Sequence, residues 1–203
     1  MNKLSDLIPY IAPYLPGCPT PLVLQNLRTV FNEFCDKSEA WRETLTIDVV
    51  DGQTEYELVP TVGDCIVKRV VSVYRVDTFN RFSSLQMDVT QYHFDGNTTL
   101  TLYGTPAADA TGGLTVVVSL RPRISDRTSE VYATDTFLER WWHGIVQGVF
   151  AALRIMPKRD WSDPALAQVN RADFSSAIAL AIIENTAQYK RGNEARIKIP
   201  EVW

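Results

Sequence analysis

The chain has 203 residues, a hydrophobic content of 45%, a charged content of 22% and a net charge of −4 at pH 7. A chain of this length fits one domain and can bury roughly 70% of its unfolded surface without disulfide or metal staples. The composition excludes a disordered or low-complexity protein, and no apolar run approaches the roughly 20 residues needed to cross a bilayer.

The charges are unevenly distributed along the chain. Residues 1–64 contain 4 basic and 10 acidic side chains, and the remaining residues contain 16 and 14. A protein that grips DNA through its phosphates needs a concentrated basic patch, and the sequence shows none. An acidic surface suits a channel through which DNA slides without sticking, although a solvated surface is the ordinary explanation for each carboxylate.

The cysteine residues and the N-terminal residues indicate in which cellular compartment the protein is expected. Cys18, Cys35 and Cys65 include no C-x-x-C pair, so we expect reduced thiols that pack in the core, not disulfides or a zinc site. The first residues lack the basic and apolar regions of a secretory signal, which predicts a cytoplasmic location.

The first 21 residues hold five of the eleven prolines. We predict a short helix around Leu4 to Ile11 followed by a stiff, extended arm. Its apolar side chains would pack on the main body or on a neighbouring subunit: Leu7, Ile8, Ile11 and Leu15.

A helix is predicted to begin at Thr20, with Thr20 as N-cap and Pro21 at the first helical position. Apolar residues recur every three or four positions and indicate one buried side. These residues are Val23, Leu24, Leu27, Val30, Phe31, Phe34 and Cys35.

From Glu43 the apolar period changes to two, which indicates strands. We predict a β-hairpin in which Asp51-Gly52 turns the chain between 45–49 and 54–58. Further strands are predicted at 65–76, 97–103 and 114–121, in an antiparallel sheet or sandwich. Residues 77–93 are predicted to be a long protruding loop with one strand near 85–89.

Two helices are predicted near the C-terminus. The first begins at Thr136, in a capping box with Glu139, and ends before Pro157. Gly144, Gly148 and Ala152 form a smooth strip on it that predicts close packing against the next helix. That helix is predicted to begin near Asp163-Pro164 and to stop at Gly192.

From these elements together we predict an α+β fold: a helical bundle (1–42 and 135–191), an inserted β-rich domain (43–134) and an extended tail (192–203).

No residue pattern indicates catalysis, so no enzyme, cofactor or metal site is predicted. His93 and His143 lie 50 positions apart and outside any metal-binding motif. Glu55 and Glu57 share a strand face and form a conceivable acid/base pair, but a solvated strand face explains them more simply. For Trp141 and Trp142, we expect one ring in the core and the other against a partner.

Several segments, in their order along the chain, carry a family resemblance. They are the proline-rich entry and its helix, Glu-Ala-Trp-Arg-Glu at 39–43, the strand and turn at 97–106, and Trp-Ser-Asp-Pro-Ala at 161–165. Together they resemble the head-to-tail adaptor (connector) proteins of tailed bacteriophages.

The resemblance implies a structural role in the virion neck, after assembly in the host cytoplasm. Such proteins are described as rings of twelve subunits that dock under the portal protein, meet tail or nozzle proteins and pass double-stranded DNA without sequence-specific binding. No membrane is involved.

Interface residues are expected at the C-terminus and in the β-rich region. The apolar C-terminal segment invites a partner, and the resemblance implies that this partner is the portal protein. The expected portal contacts are Arg196, Ile197, Lys198, Ile199 and Trp203. Binding of this tail back onto its own chain is an equally good interpretation. Weaker candidates for subunit or tail contact are Trp41 and Arg42, together with the 77–93 loop and its aromatic residues Tyr92 and Phe94, of which Phe94 directly follows the loop. The alternative function is a tail-associated β-sandwich that binds carbohydrate through the aromatic loop.

Overall fold

The computed structural model describes residues 2–62, 65–76, 84–123 and 132–194, and its described elements alternate between a helical part and antiparallel sheets. In chain order they are β1 (Asn2–Lys3), a 3₁₀ turn (Leu4–Leu7), α1 (Ile8–Ile11), a 3₁₀ turn (Ala12–Tyr14), α2 (Thr20–Ser38), β2 (Arg42–Val49), β3 (Glu55–Glu57), β4 (Cys65–Val76), β5 (Ser84–Gln86), a 3₁₀ turn (Val89–Gln91), β6 (Tyr92–Phe94), β7 (Thr99–Leu102), β8 (Ala110–Pro122), β9 (Tyr132–Ala133), α3 (Asp135–Arg154) and α4 (Pro164–Glu194). The fold is α+β, as the sequence predicts.

The N-terminal segment packs on its own chain. The predicted short helix is present as a 3₁₀ turn and α1, and Leu7, Ile11 and Leu15 are buried in the core. The predicted extended arm is wrong beyond Ile11, where a second 3₁₀ turn continues to Tyr14. Proline's fixed φ suits the first positions of a helical turn as well as an extended segment.

Helix α2 begins one residue earlier than predicted. Pro19 is the N-cap, so Thr20 is the first helical residue and Pro21 the second. The predicted buried side is confirmed for all of its members except Leu24, which is half-buried. The helix ends at Ser38. Its C-cap is Glu39, whose φ of 50° is left-handed and whose N–H donates to the carbonyl of Cys35 at 3.0 Å.

The main sheet has the strand order β2-β8-β4-β5, all antiparallel. Strand β8 is central, and its apolar residues alternate with half-buried Thr115 and Val117. Val116 pairs with Leu45 on one side and with Val73 on the other. The strands predicted at 65–76 and 114–121 are therefore present as β4 and β8, and β8 is longer than expected. The strand predicted at 97–103 is present as β7, which is shorter than expected and lies in a second sheet.

The predicted hairpin between β2 and β3 is wrong. The turn at Asp51-Gly52 forms, with a φ of 77° at Gly52, but β2 pairs with β8 and β3 joins a second sheet of order β3-β7-β6. The turn is bound to a distant segment, since the Gly52 N–H donates to the carbonyl of Pro106 and the Asp51 N–H donates to the Asp109 carboxylate. Long partners with matching apolar faces outweigh the local turn preference.

The predicted protruding loop is only partly tested, because residues 77–83 lie outside the described part of the chain. The strand expected near 85–89 lies at 84–86 and pairs with the end of β4. Residues 92–93, predicted to belong to the loop, instead open strand β6, which pairs with β7.

Helix α3 begins at Asp135 with Thr134 as N-cap, so the capping box predicted at Thr136 is not formed. The small-residue strip is confirmed as a packing surface. A Cβ added at Gly144 would lie 2.5 Å from the Cβ of Ala177 on α4, and one at Gly148 would overlap Val30 of α2 and Phe174 of α4. Glycine at these positions lets three helices approach closely.

Helix α4 starts as predicted, because the Asp163 carboxylate accepts a hydrogen bond from the N–H of Leu166 at 3.0 Å. It does not stop at Gly192 but continues to Glu194. The buried apolar residues of helices and sheets form one continuous cluster. The division of the chain into a helical bundle, an inserted β-domain and a tail stays a prediction.

Candidate interaction surfaces

The predicted portal-contact residues are not described by the structure. Arg196, Ile197, Lys198, Ile199 and Trp203 lie beyond Glu194, outside the described residues. Their role stays a prediction.

Trp41 lies in the core of the single chain. Its side chain is 1% exposed, and its ring centroid lies 5.6 Å from that of Phe31 and 6.1 Å from that of Phe137. It joins the end of α2 to the start of α3, which gives it a packing role within the chain.

Arg42 follows at the start of β2 and is half-buried. Its Nε donates to the carbonyl of Glu39 at 3.2 Å, and burial lowers the pKa of Arg42 despite the opposing effect of the Glu39 carboxylate. The side chain therefore braces the turn between α2 and β2.

A charge cluster binds the C-terminal end of α2 to the main sheet. Lys68 donates to the backbone carbonyl of Asp36, Arg69 pairs with Glu39 at 3.0 Å, and Arg121 lies 3.8 Å from the Asp36 carboxylate. Cations at this position also stabilise the negative end of the helix dipole. The cluster fixes the orientation of the helix on the sheet.

Tyr92 and Phe94 lie on β6, where they pair with Leu102 and Leu100 of β7. Both rings are half-buried and pack against the core. This arrangement does not favour the alternative of a carbohydrate module, which needs aromatic rings that are open for stacking on a sugar.

Helix α4 carries an apolar face that the described part of the chain leaves uncovered. Phe174, Ile178 and Ala181 are buried on one side. On the other side Val169, Leu180 and Ile183 are 55%, 56% and 62% exposed. With Ser176 these three residues fall on one strip of the helix at spacings of three, four and seven, and we call this strip the α4 stripe. Three large exposed apolar side chains in one strip are typical of a surface that meets a partner.

An ion pair holds the opposite side of α4 to α2. Arg171 donates two hydrogen bonds to the Glu33 carboxylate, at 2.6 and 3.2 Å. These bonds are the largest cause of the lowered pKa of Glu33, and they raise the pKa of Arg171. The α4 stripe is therefore carried on a helix whose inner side is anchored.

A second surface, which the sequence did not indicate, lies between the N-terminal turns, α3 and the start of α4. It is a groove with a volume of about 690 Å³. We call it the aromatic groove, and its lining residues are Pro9, Tyr10, Pro13, Tyr14, Trp142, His143, Val146, Gln147, Phe150, Arg154, Leu166 and Asn170. Tyr10 and Tyr14 are 55% and 65% exposed at its rim. The proline-tyrosine repeat at 9–10 and 13–14 is the signal in the sequence that could have located it.

The two tryptophans of α3 pack on different aromatic rings, and Trp142 lines the aromatic groove. Trp141 packs on Phe34 at 5.6 Å between ring centroids, and Trp142 packs on Tyr10 at 5.0 Å. Both rings are half-buried and pack against the edge of the core, so the expectation that one of them enters the core is not met.

No group of three or more metal-ligating side chains that could hold a metal ion occurs in the described part of the chain. Glu55 and Glu57 are exposed on one face of β3, with Tyr56 buried between them. Cys35 is fully buried, and burial raises the pKa of its thiol well above the ordinary value. Within the described residues, no helix is apolar over a length that would span a bilayer.

A family model described as SU10 adaptor protein matches residues 2–197. No curated protein matches the chain.

Proposed function

Because the chain belongs to the SU10 adaptor protein family, a family of phage head-tail adaptors, we propose that it forms a ring that docks under the portal and continues the DNA channel into the tail. Its function is structural and resides in the surfaces it presents to copies of itself and to neighbouring virion proteins.

The α4 stripe is the observation that best supports ring formation. A helix of 31 residues is anchored on its inner side and leaves large apolar side chains exposed on the other. Covering this strip with a second subunit removes apolar surface from water at about 25 cal/mol per Å². In a ring the contact joins two different surfaces of neighbouring copies, and repetition of that contact closes the circle. Twelve copies is the number that the resemblance implies.

Passage of DNA is supported by the charge distribution. Residues 1–64 carry 10 acidic and 4 basic side chains. Where such residues face a lumen, phosphate groups are repelled, so DNA slides without being held. The channel is therefore proposed to act without sequence-specific contacts.

Portal docking is proposed for the segment that ends in Trp203. It alternates basic and apolar residues, a pattern that suits an extended segment lying in a groove or along a sheet edge. Trp41 is excluded as a main contact because it is buried in its own chain.

Electron microscopy of the purified protein, alone and with portal, tests the proposal. Rings with a central hole are expected, and a chain truncated after Gly192 should still fold but should no longer bind portal. A wild-type protein that stays monomeric with portal present would contradict the proposed ring. Portal binding that survives the truncation would contradict the role of the tail.

A further inference from the structure

The aromatic groove contains two aromatic pairs in a row. Tyr10 packs on Trp142 with ring centroids 5.0 Å apart, and Tyr14 meets Phe150 edge-on at 5.7 Å. Trp142 and Phe150 are eight residues apart on α3, which separates the pairs by about 12 Å along the groove. An extended polyproline segment covers this distance with about four residues, at 3.1 Å per residue.

Three polar side chains of the groove form a chain of hydrogen bonds that leaves some of their donor groups without a partner among the described residues. Arg154 donates to the Oδ1 of Asn170 at 2.8 Å, and the Nδ2 of Asn170 donates to the Oε1 of Gln147 at 2.5 Å. Each of these two amide oxygens therefore accepts one hydrogen bond within the chain. The Nε2 of Gln147 and the remaining N–H groups of Arg154 have no partner among the described residues.

The charge of Arg154 is also uncompensated in the described structure. Its guanidinium lies 4.7 Å from the centroid of the Phe150 ring, and no carboxylate of the described residues pairs with it. No Asp or Glu lines the groove. A ligand with a carboxylate would complete this site, since hydrogen bonds between guanidinium and carboxylate are among the stronger ones in proteins.

We propose that the aromatic groove binds an extended, proline-containing and acidic peptide segment of another protein. Proline has no N–H, so such a segment presents carbonyl acceptors to a groove in which Gln147 and Arg154 offer donors without a partner among the described residues. Aromatic side chains in a row are the usual receptors of polyproline helices, because the proline rings fill the spaces between them.

Peptide binding by the groove does not depend on ring formation. Only the identification of the peptide as part of a neighbouring virion protein rests on the proposed function. If the protein did not form rings, the peptide-binding test would still give its result. Each of the two proposals can therefore be disproved without the other.

Fluorescence anisotropy with the purified full chain tests the inference. The probe is a labelled peptide of Pro-Pro-Glu repeats, compared with peptides of Pro-Pro-Gln and of Ala-Ala-Glu repeats. The wild type is expected to bind the first peptide most tightly. Tyr14→Ala should weaken that binding about tenfold, as is usual for an aromatic anchor. Tyr103→Ala, which removes a tyrosine that is 67% exposed elsewhere, should change it less than about twofold.

The charge requirement is tested separately. Arg154→Gln should bind the Pro-Pro-Glu and Pro-Pro-Gln peptides equally, whereas the wild type should prefer the former. Absence of binding, equal binding of the Ala-Ala-Glu peptide, or binding unaffected by Tyr14→Ala would overturn the proposal. Tighter binding of an oligosaccharide, or of a peptide with the sequence of residues 195–203, would also overturn it, because the occupant would then be a sugar or a second copy of the chain.

Discussion

Gly148 allows three helices to pack closely because its side chain is a single hydrogen atom. Its missing Cβ would overlap Val30 of α2 and would lie 2.8 Å from a ring carbon of Phe174 on α4. The spacing of Gly144, Gly148 and Ala152 predicts a smooth strip, but the sequence alone does not show that α2 also uses it.

Substitution of Gly148 by alanine is therefore expected to destabilise the fold, although alanine favours helix formation. Overpacking should lower the free energy of unfolding by roughly 1–3 kcal/mol. Urea unfolding followed by circular dichroism measures the change. Gly104→Ala is the control, since nothing lies within 4 Å of its added Cβ and its φ is not left-handed. Equal stability of the two variants would contradict the packing role.

The Glu33–Arg171 pair predicts a pH dependence of stability. The pKa of Glu33 is lowered in the folded state, mainly by the hydrogen bonds from Arg171. Because this pKa is lowered on folding, the ionised Glu33 carboxylate contributes to the free energy of unfolding. That contribution is fully present above the ordinary pKa of 4.5 and is lost as the pH falls through the folded-state pKa. Because both groups are partly exposed, the contribution should stay below about 1 kcal/mol.

Urea unfolding of the wild type and Glu33→Gln at pH 7 and pH 3 tests this dependence. At pH 7 the wild type should be more stable than Glu33→Gln, and this difference in the free energy of unfolding should shrink at pH 3. Glu57→Gln, at an exposed carboxylate without an ion pair in the described structure, should show no such trend. A difference that grows at pH 3 would show that the assigned sign is wrong.

At the scale of elements, the apolar periods locate the strands but not their partners. The alternation in 45–49 and 114–121 identifies β2 and β8. Neither pattern predicts that the two strands pair, or that Leu45 lies opposite Val116. The Asp51-Gly52 turn suggests a local hairpin. The structure instead places β2 and β3 in different sheets, because each finds a longer or better-matched partner more than 40 residues away.

The start of α4 was predictable, because cap and proline are adjacent in sequence. Asp163→Ala removes the hydrogen bond to the N–H of Leu166 and should lower the free energy of unfolding by about 1 kcal/mol. Thermal and urea unfolding measure the loss. The matched control is Asp160→Ala, which removes the same charge from an exposed position before the cap. A comparable loss in both variants would indicate a charge effect instead of capping.

At the scale of the whole molecule, the α4 stripe predicts an assembly defect without a folding defect. The double substitution Leu180→Ser and Ile183→Ser should reduce or abolish ring formation because it removes two exposed apolar side chains from the proposed contact. The unfolding midpoint should change little, since both positions face away from the core. Size-exclusion chromatography with light scattering measures the assembly.

A matched control is available in the segments that connect the strands. Val59 and Val89 are also large exposed apolar positions, at 63% and 74%, and their double substitution by serine should leave assembly intact. Rings that persist in the α4 variant but not in the control would place the subunit contact at Val59 and Val89 and not on the α4 stripe.

The candidate surfaces were predictable to different degrees. The proline-tyrosine repeat and Trp142 are visible in the sequence, but the aromatic groove exists only because α1, α3 and the start of α4 meet. The hydrogen-bond chain from Arg154 through Asn170 to Gln147 joins side chains that are 16 and 23 positions apart. No local pattern shows which of their polar atoms remain free.

The sequence alone determined the α+β class, most strand positions, the cap of α4 and the family, because these depend on local periods and on the order of short segments. Tertiary structure alone decided the strand partners, the buried position of Trp41, the uncovered stripe on α4 and the aromatic groove. The physical reason is that burial and hydrogen-bond satisfaction depend on which distant segments meet, and competition among those segments is settled only in the folded chain.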